Sequence, residues 1–152
     1  MANQPGERYL EPGAFTRNVF NRIVALLTAA GVSVLGSRVL RVRGRTSGQW
    51  REVPVNLMTH EGDRYLVAPR GHTQWVKNLR AAGSGELRLG RRTEAFSAVE
   101  LPDAEKPPVI RAYLKRWKWE VGQFFEGIDE KSPDEALLAA APGFPVFRIT
   151  SA

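Results

Sequence analysis

The sequence predicts an α+β protein that is mainly β, in which antiparallel strands form a meander and helices flank them at both ends. From Arg38 onwards, apolar residues alternate with polar ones, which is the period of a strand with one face in a core. Short turns such as the Glu-Gly-Asp of residues 61–63 separate the alternating segments, and links this short join antiparallel strands. Before and after this region, apolar residues recur at helical spacing instead.

The first predicted element is an amphipathic helix over residues 14–30, which Gly31 is placed to end. Its apolar face carries Phe15, Val19, Ile23, Leu27 and Ala30. The apolar run 23–35 is shorter than the roughly 20 residues of a spanning helix, and no secretory signal precedes it. We therefore expect a cytoplasmic protein, in which residues 14–35 cover a protein core or contact a membrane surface peripherally.

The predicted strands come next along the chain. In the second of them, Val53, Val55 and Leu57 form an apolar face. Pro54 has no N–H to donate to a neighbouring strand, so we expect this strand to be at a sheet edge or bulged there. The predicted strands are residues 38–43, 51–58, 64–69, 86–89, 93–101 and 144–150.

Three further helices are predicted between and after the strands. Thr73 is placed to cap a short helix with Trp75, Val76 and Leu79 on its apolar face. A longer helix begins near the proline pair 107–108. Its apolar stripe is Val109, Tyr113, Trp117, Val121 and Phe124. The segment Ser132-Pro133-Asp134-Glu135 has the pattern of a capping box and opens a last short helix, which Pro142-Gly143 ends.

Length and composition favour one domain over residues 1–152, with residues 1–13 flexible. The chain has no cysteine, which excludes disulfides, thiolate metal sites and cysteine nucleophiles. His60 and His72 have no partner at helical spacing, so we expect no metal site. The motifs of serine hydrolases, P-loop enzymes and zinc peptidases are all missing from the sequence. No residue stands out as catalytic.

The net charge of +6 is unevenly distributed. Residues 36–92 contain twelve Lys and Arg against four Asp and Glu, whereas residues 93–152 carry a net negative charge. A positive field of this kind favours an anionic partner: a phosphorylated cofactor, an acidic lipid surface or a nucleic acid.

The strongest concentration of cations lies around one turn, residues 44–48, of sequence Gly-Arg-Thr-Ser-Gly. Gly44 and Gly48 can adopt positive φ at little steric cost, and Thr46 and Ser47 add short hydroxyls. The arginines of this stretch are Arg41, Arg43, Arg45 and Arg51. The residues alone are compatible with two interpretations, a cradle for an anion or an ordinary glycine-rich hairpin on a basic protein.

Three consecutive segments extend this pattern: Gly44 to Pro54, the Val-Ala-Pro-Arg-Gly of residues 67–71, and the Trp-Val-Lys-Asn-Leu of residues 75–79. In this order and spacing they resemble the signatures of the deazaflavin-dependent nitroreductase family, over roughly residues 38–101. The resemblance implies a split β-barrel of antiparallel strands that binds coenzyme F-420. It also implies a hydride transfer from the reduced coenzyme to an electron-poor acceptor, such as a quinone, a nitroaromatic or a conjugated enone.

The resemblance also implies which residues hold the coenzyme. Residues of the turn and its flank would hold the phosphate and the acidic tail, residues after the turn would run beside the deazaflavin ring, and a basic-Gly step and a Trp-x-x-Asn helix would complete the site. These residues are Arg45, Thr46, Ser47, Arg51, Pro54, Val55, Asn56, Arg70, Gly71, Trp75 and Asn78.

The substrate side departs from the family pattern, because only one tyrosine is present where its best-known members carry several. Tyr113 and Trp117 lie one helical turn apart and are candidates for the substrate pocket, or for core packing. Three alternatives remain open: a flavin mononucleotide (FMN) enzyme on the same barrel, a non-enzymatic deazaflavin carrier, and a nucleic-acid binder, the last of which we do not expect. The assembly is expected to be a monomer or a homodimer.

Overall fold

The computed structural model describes residues 37–121, 125 and 127–152. Six strands and three helices make up this part of the chain. The strands are β1 (Ser37–Arg43), β2 (Trp50–His60), β3 (Asp63–Val67), β4 (Ser84–Leu89), β5 (Arg92–Glu100) and β6 (Val146–Ser151). The helices are α1 (Gln74–Ala82), α2 (Lys106–Val121) and α3 (Asp134–Ala140), with short 3-10 turns at Asp103–Glu105 and Ala141–Gly143.

The six strands close into one antiparallel barrel in the order β1-β2-β3-β6-β5-β4. Strands β1, β2 and β3 form the predicted meander, and β6 closes the barrel between β3 and β5. The fold class expected from the sequence, a mainly β antiparallel barrel with C-terminal flanking helices, is confirmed.

Pro54 lies where β2 has only one strand neighbour. Its segment pairs with β1 through residues 50–56, and pairing with β3 begins at Leu57. The missing N–H of Pro54 therefore costs no hydrogen bond to a second strand, and the predicted edge position is confirmed.

The barrel interior is filled by residues that alternate along the strands. Leu40 and Val42 of β1 point into it, and Arg41 between them lies on the outer face. Val76 and Leu79 of α1 are fully buried in the same cluster, so this helix is held to the barrel by its apolar face. Other members of the cluster are Leu66, Ala68, Leu87, Phe96, Phe147 and Ile149.

A second core lies outside the barrel, where α2 packs against β2 and β3 and α3 packs against α2. Tyr65, Val67 and Val146 contribute from the strands, and Phe144 and Leu137 pack beside them. The predicted stripe of α2 supplies Val109, Tyr113 and Trp117 to this cluster. Each large side chain buried in this way stabilises the fold by about 1.5–3 kcal/mol relative to exposure. Phe124 of the predicted stripe lies outside the described residues.

Both predicted helix caps are wrong in their hydrogen bonds. Thr73 holds the N-cap position of α1, but its hydroxyl makes no capping bond. Ser132 does not cap α3, whose N-cap residue is Pro133. Instead, its hydroxyl accepts a hydrogen bond from the Asp129 amide at 2.8 Å, which closes a turn before the helix. The Ser132 hydroxyl thus binds a backbone amide of the preceding turn and not an amide of the helix.

The predicted N-terminal helix, residues 14–30 with Gly31, lies outside the described residues, and so does the segment 1–13 that the sequence predicts to be flexible. So does the membrane contact predicted for residues 14–35. Among the helices that the structure describes, none combines the length and the apolar character needed to cross a membrane.

Candidate functional site

The turn between β1 and β2 is held by its own backbone. The Gly44 amide donates to the Gln49 carbonyl at 2.8 Å, and the Gly48 amide donates to the Gly44 carbonyl at 2.9 Å. Gly48 has a φ of 72°, in the left-handed region that favours glycine. A Cβ on Gly44 would lie 2.8 Å from the Ser47 Oγ. Glycine at both positions therefore lets the turn fold tightly, with Arg45, Thr46 and Ser47 exposed on it.

Helix α1 lies against this turn and binds it through Arg45. The Arg45 backbone amide donates to Asn78 Oδ1 at 3.1 Å, and the Arg45 Nη1 donates to the same oxygen at 2.7 Å. The Arg45 Nη2 donates to Gln74 Oε1 at 3.0 Å. Asn78 is only 5% exposed, because it lies on the side of α1 that faces the barrel. The turn and the helix thus form one polar surface.

The cations near this surface differ in their partners. On the outer face of the barrel, Arg41 pairs with Glu86 at 2.6 Å and with Glu52 at 3.2 Å. Within the part of the chain that the structure describes, no carboxylate forms an ion pair with the cations around the turn. These are Arg43, Arg45 and Arg51. Their positive charge is therefore available to an anion.

Trp50, the first residue of β2, is exposed beside the turn. Its ring lies 4.2 Å from the Arg43 guanidinium carbon and 4.7 Å from that of Arg41. Stacking of this kind holds the arginine side chains against the ring without neutralising them. Arg43 also donates to the Gly48 carbonyl at 3.0 Å, which ties its side chain back to the turn.

Thr73 brings an unpaired buried hydroxyl to the start of α1. The residue is 7% exposed, and its Oγ1 makes no hydrogen bond with any residue of the described chain. The amides of residues 74–76 follow directly, and the first turn of a helix has no internal acceptors for them. These donors, together with the helix dipole, favour a negatively charged ligand. The site therefore fits a phosphate-bearing cofactor.

The other predicted residues lie at different distances from this surface. Arg51 lies near the turn, since its Nε is 3.5 Å from where a Cβ on Gly44 would be. Arg70 and Gly71 belong to the loop between β3 and α1, and Gly71 has a φ of 89° that requires glycine. Trp75 is partly buried and packs at 6.1 Å, between ring centroids, on Phe147 of the barrel interior.

The three predicted residues of β2 do not share a face. Val55 packs with the barrel interior cluster, and strand alternation places Pro54 and Asn56 on the opposite face. One flat ligand on the outer face can therefore contact the side chains of Pro54 and Asn56, but only the backbone of Val55. The contact of all three with a deazaflavin ring stays a prediction.

Tyr113 and Trp117 are 2% and 0% exposed, within the outer core of α2 and α3. Their ring centroids are 4.9 Å apart, and α2 departs from helical geometry at Trp117. The structure shows their packing role in this core. A role in lining a substrate pocket stays a prediction.

Two residues of the surface were missed from the sequence, Thr73 as a free hydroxyl and Gln74 as a partner of Arg45. A signal for Gln74 was present, because it lies four residues before Asn78 and therefore on the same helix face. Among the described residues, no cluster of His, Asp or Glu could hold a metal ion. Cations, hydroxyls and amides such as these bind and orient an anion, but they carry no electrons themselves, so any redox chemistry must come from a cofactor.

Comparison with protein families gives a match over most of the chain. The model of a family described as F420H(2)-dependent quinone reductase matches residues 16–123, which include the turn, α1 and all of α2. No curated protein matches the chain.

Solved structures share the fold at low sequence identity. A structure described as an F420-H2 dependent reductase, FDR-A, superposes with a TM-score of 0.51 at 18% identity, covering 76% of this chain and 94% of that one. A domain-swapped dimer gives 0.54 at 20% identity, covering 92% and 100%. Protein Atu2129 of unknown function from Agrobacterium tumefaciens gives 0.55 at 14% identity, and 93% of this chain spans 57% of that protein. At these identities the likeness shows the fold.

Proposed function

The chain belongs to the F420H(2)-dependent quinone reductase family, and from this premise we propose that its surface of turn and helix binds reduced coenzyme F-420 for hydride transfer to a quinone. The match to this family confirms three predictions from the sequence: the family itself, an oxidoreductase activity and coenzyme F-420 as the coenzyme. The identity of the acceptor is our proposal, in which a quinone is favoured over a nitroaromatic or a conjugated enone by the family description.

One observation carries the assignment of the site. Arg45 is fixed by the neutral side-chain oxygens of Asn78 and Gln74, and no carboxylate of the described residues pairs with it. A guanidinium held in place with its charge uncompensated is suited to bind phosphate or carboxylate oxygens. Arg51 adds a second cation near the same turn.

Different residues of the chain would bind the charged tail and the ring of the coenzyme. Arg45 and Arg51 would hold the phosphate and the acidic tail of the coenzyme, with the Thr73 hydroxyl and the first amides of α1 as further donors. Pro54 and Asn56 would support the ring on the outer face of β2. When bound, the coenzyme supplies the hydride, and the chain supplies orientation and electrostatics.

Titration of the purified protein with coenzyme F-420 and, separately, with FMN tests this function. We expect saturable binding of the deazaflavin, followed through its absorbance, and at most weak binding of FMN. Tight FMN binding without deazaflavin binding would identify a flavin enzyme instead. Binding of the coenzyme without turnover of any quinone, nitroaromatic or enone would identify a carrier.

The assembly is a separate proposal. One structure of the same fold is described as a domain-swapped dimer, and we propose a homodimer for this chain as well. Sedimentation velocity at micromolar concentration should show a single species of twice the chain mass of 16.9 kDa. A species of the chain mass alone would establish a monomer.

A further inference from the structure

Arg45 is fixed by α1 more completely than an exposed turn residue normally is. One oxygen, Asn78 Oδ1, accepts hydrogen bonds from both the backbone amide and the Nη1 of Arg45. Gln74, one helical turn before Asn78, accepts from the other terminal nitrogen. The position of the main chain and the direction of the guanidinium are therefore set by the same two amide side chains.

The two side-chain acceptors of Arg45 carry no charge, whereas several other arginines of the described chain donate to carboxylates. Arg41, Arg64 and Arg80 each donate to the carboxylate of a glutamate at 2.6–2.7 Å. Their charge is thereby cancelled locally. The side chains around Arg45 have the same reach as glutamate and aspartate, but they are neutral. Amide oxygens orient a guanidinium without compensating its charge, and leave its remaining N–H groups able to donate.

We propose that Gln74 and Asn78 are positioning residues that hold Arg45 as a preorganised, uncompensated anion receptor for the coenzyme. This inference rests on the proposed function. Preorganisation raises affinity because the side chain loses little rotamer freedom when the ligand binds. The proposal depends on the neutrality of the two amides, because a carboxylate at either position would compete with the coenzyme for the charge of Arg45.

A Gln74→Glu substitution separates this role from a structural one. A carboxylate in the first turn of α1 complements the helix dipole, and it can keep the hydrogen bond to Arg45. We therefore expect an unchanged or higher melting temperature, together with an increase of about tenfold in the Kd for coenzyme F-420 measured by absorbance titration, because the new carboxylate neutralises Arg45. The KM for the coenzyme should rise, and kcat should stay unchanged. Asn78→Asp should change the Kd in the same direction.

Lys115→Gln is the matched control, because it makes the same change in net charge at an exposed position on α2. Its Kd should equal that of the wild-type protein. Equal Kd values for wild type, Gln74→Glu and Asn78→Asp would refute the positioning role while leaving the proposed function intact. Absence of coenzyme binding by the wild-type protein itself would refute both.

Amide hydrogen exchange in the ligand-free protein tests, without the coenzyme, whether Asn78 holds the main chain at Arg45; we call this pair of hydrogen bonds from Arg45 to Asn78 the clamp. The Arg45 amide lies in an exposed turn and is protected by Asn78. In Asn78→Ala its exchange should accelerate about tenfold or more relative to wild type, while the Gly44 amide, bonded to Gln49 within the turn, should stay protected. Unchanged exchange of the Arg45 amide would contradict the clamp.

Discussion

Thr73 carries a buried hydroxyl that we propose as a donor to the coenzyme, at the expense of stability in the free protein. Its hydroxyl is buried without a partner in the described chain, and such a group destabilises the folded state. We expect Thr73→Val to leave the free energy of unfolding unchanged or to raise it by about 1 kcal/mol. The same substitution should weaken coenzyme binding, because a donor at the start of α1 is lost. Thermal unfolding and absorbance titration measure the two effects, and unchanged affinity would exclude Thr73 from the site.

At the residue scale, the ionisation of Glu94 makes the folding stability depend on pH. Hydrogen bonds from Arg64, at 2.6 and 2.7 Å, and from Ser151 lower the pKa of Glu94 from 4.5 to about 2. Because the folded-state pKa lies below the unfolded value, the contribution to stability is fully present above about pH 4.5 and is lost as the pH falls towards 2.

The substitution Glu94→Gln tests this. The carboxylate is partly exposed, so we expect a loss of about 1 kcal/mol or less at pH 7. The difference between variant and wild type should shrink between pH 4.5 and 2. Chemical denaturation across this range measures it, and a difference that does not vary with pH would assign the effect to packing instead.

At the scale of elements, β4 lies between β1 and β5 and approaches both closely at a position that only glycine fits. A Cβ on Gly85 would lie 2.8 Å from the Arg41 carbonyl oxygen and 3.0 Å from the ring of Phe96. Phe96 is fully buried, so neither neighbour can move freely. Gly85→Ala should therefore destabilise the barrel by about 1–3 kcal/mol. Ser84→Ala, at the exposed neighbouring position, should change the stability little, and equal stability of both variants would show that the strands relax.

The sequence predicted the type and order of the described elements because periodicity depends on which face is buried. It did not predict their exact ends or the hydrogen bonds of their cap residues. Strand β2 starts at Trp50 rather than at residue 51, because Trp50 still pairs with Arg43. The partners of the Thr73 and Ser132 hydroxyls depend on the local path of the chain, which a capping motif does not determine.

At the scale of the whole molecule, the candidate site joins segments that are distant along the chain. The sequence indicated the glycine turn, its arginines and the helix with Asn78. It could not show that Asn78 binds Arg45, because that contact depends on how α1 packs on the barrel. It also grouped Val55 with Asn56, although alternation along a strand separates neighbouring side chains onto opposite faces.

The charged tail of the coenzyme should bind where the turn meets α1, and Pro54 and Asn56 extend the site along β2 towards the end of the barrel where Asn56 pairs with Ser37. Lys131 provides a control away from this path: it is exposed in the loop before α3, and α3 packs mainly on α2. Loss of a cation by Lys131→Ala should leave the affinity for the coenzyme unchanged.

The most direct measurement is the affinity for coenzyme F-420, by absorbance titration, of wild type, Arg45→Ala, Arg51→Ala and the Lys131→Ala control. Arg45→Ala and Arg51→Ala should each lose about 1.5–3 kcal/mol of binding free energy, the scale of a hydrogen bond to a charged group, with little change in folding stability. Wild-type affinity in both variants would contradict the assignment of the turn and α1 as the coenzyme site.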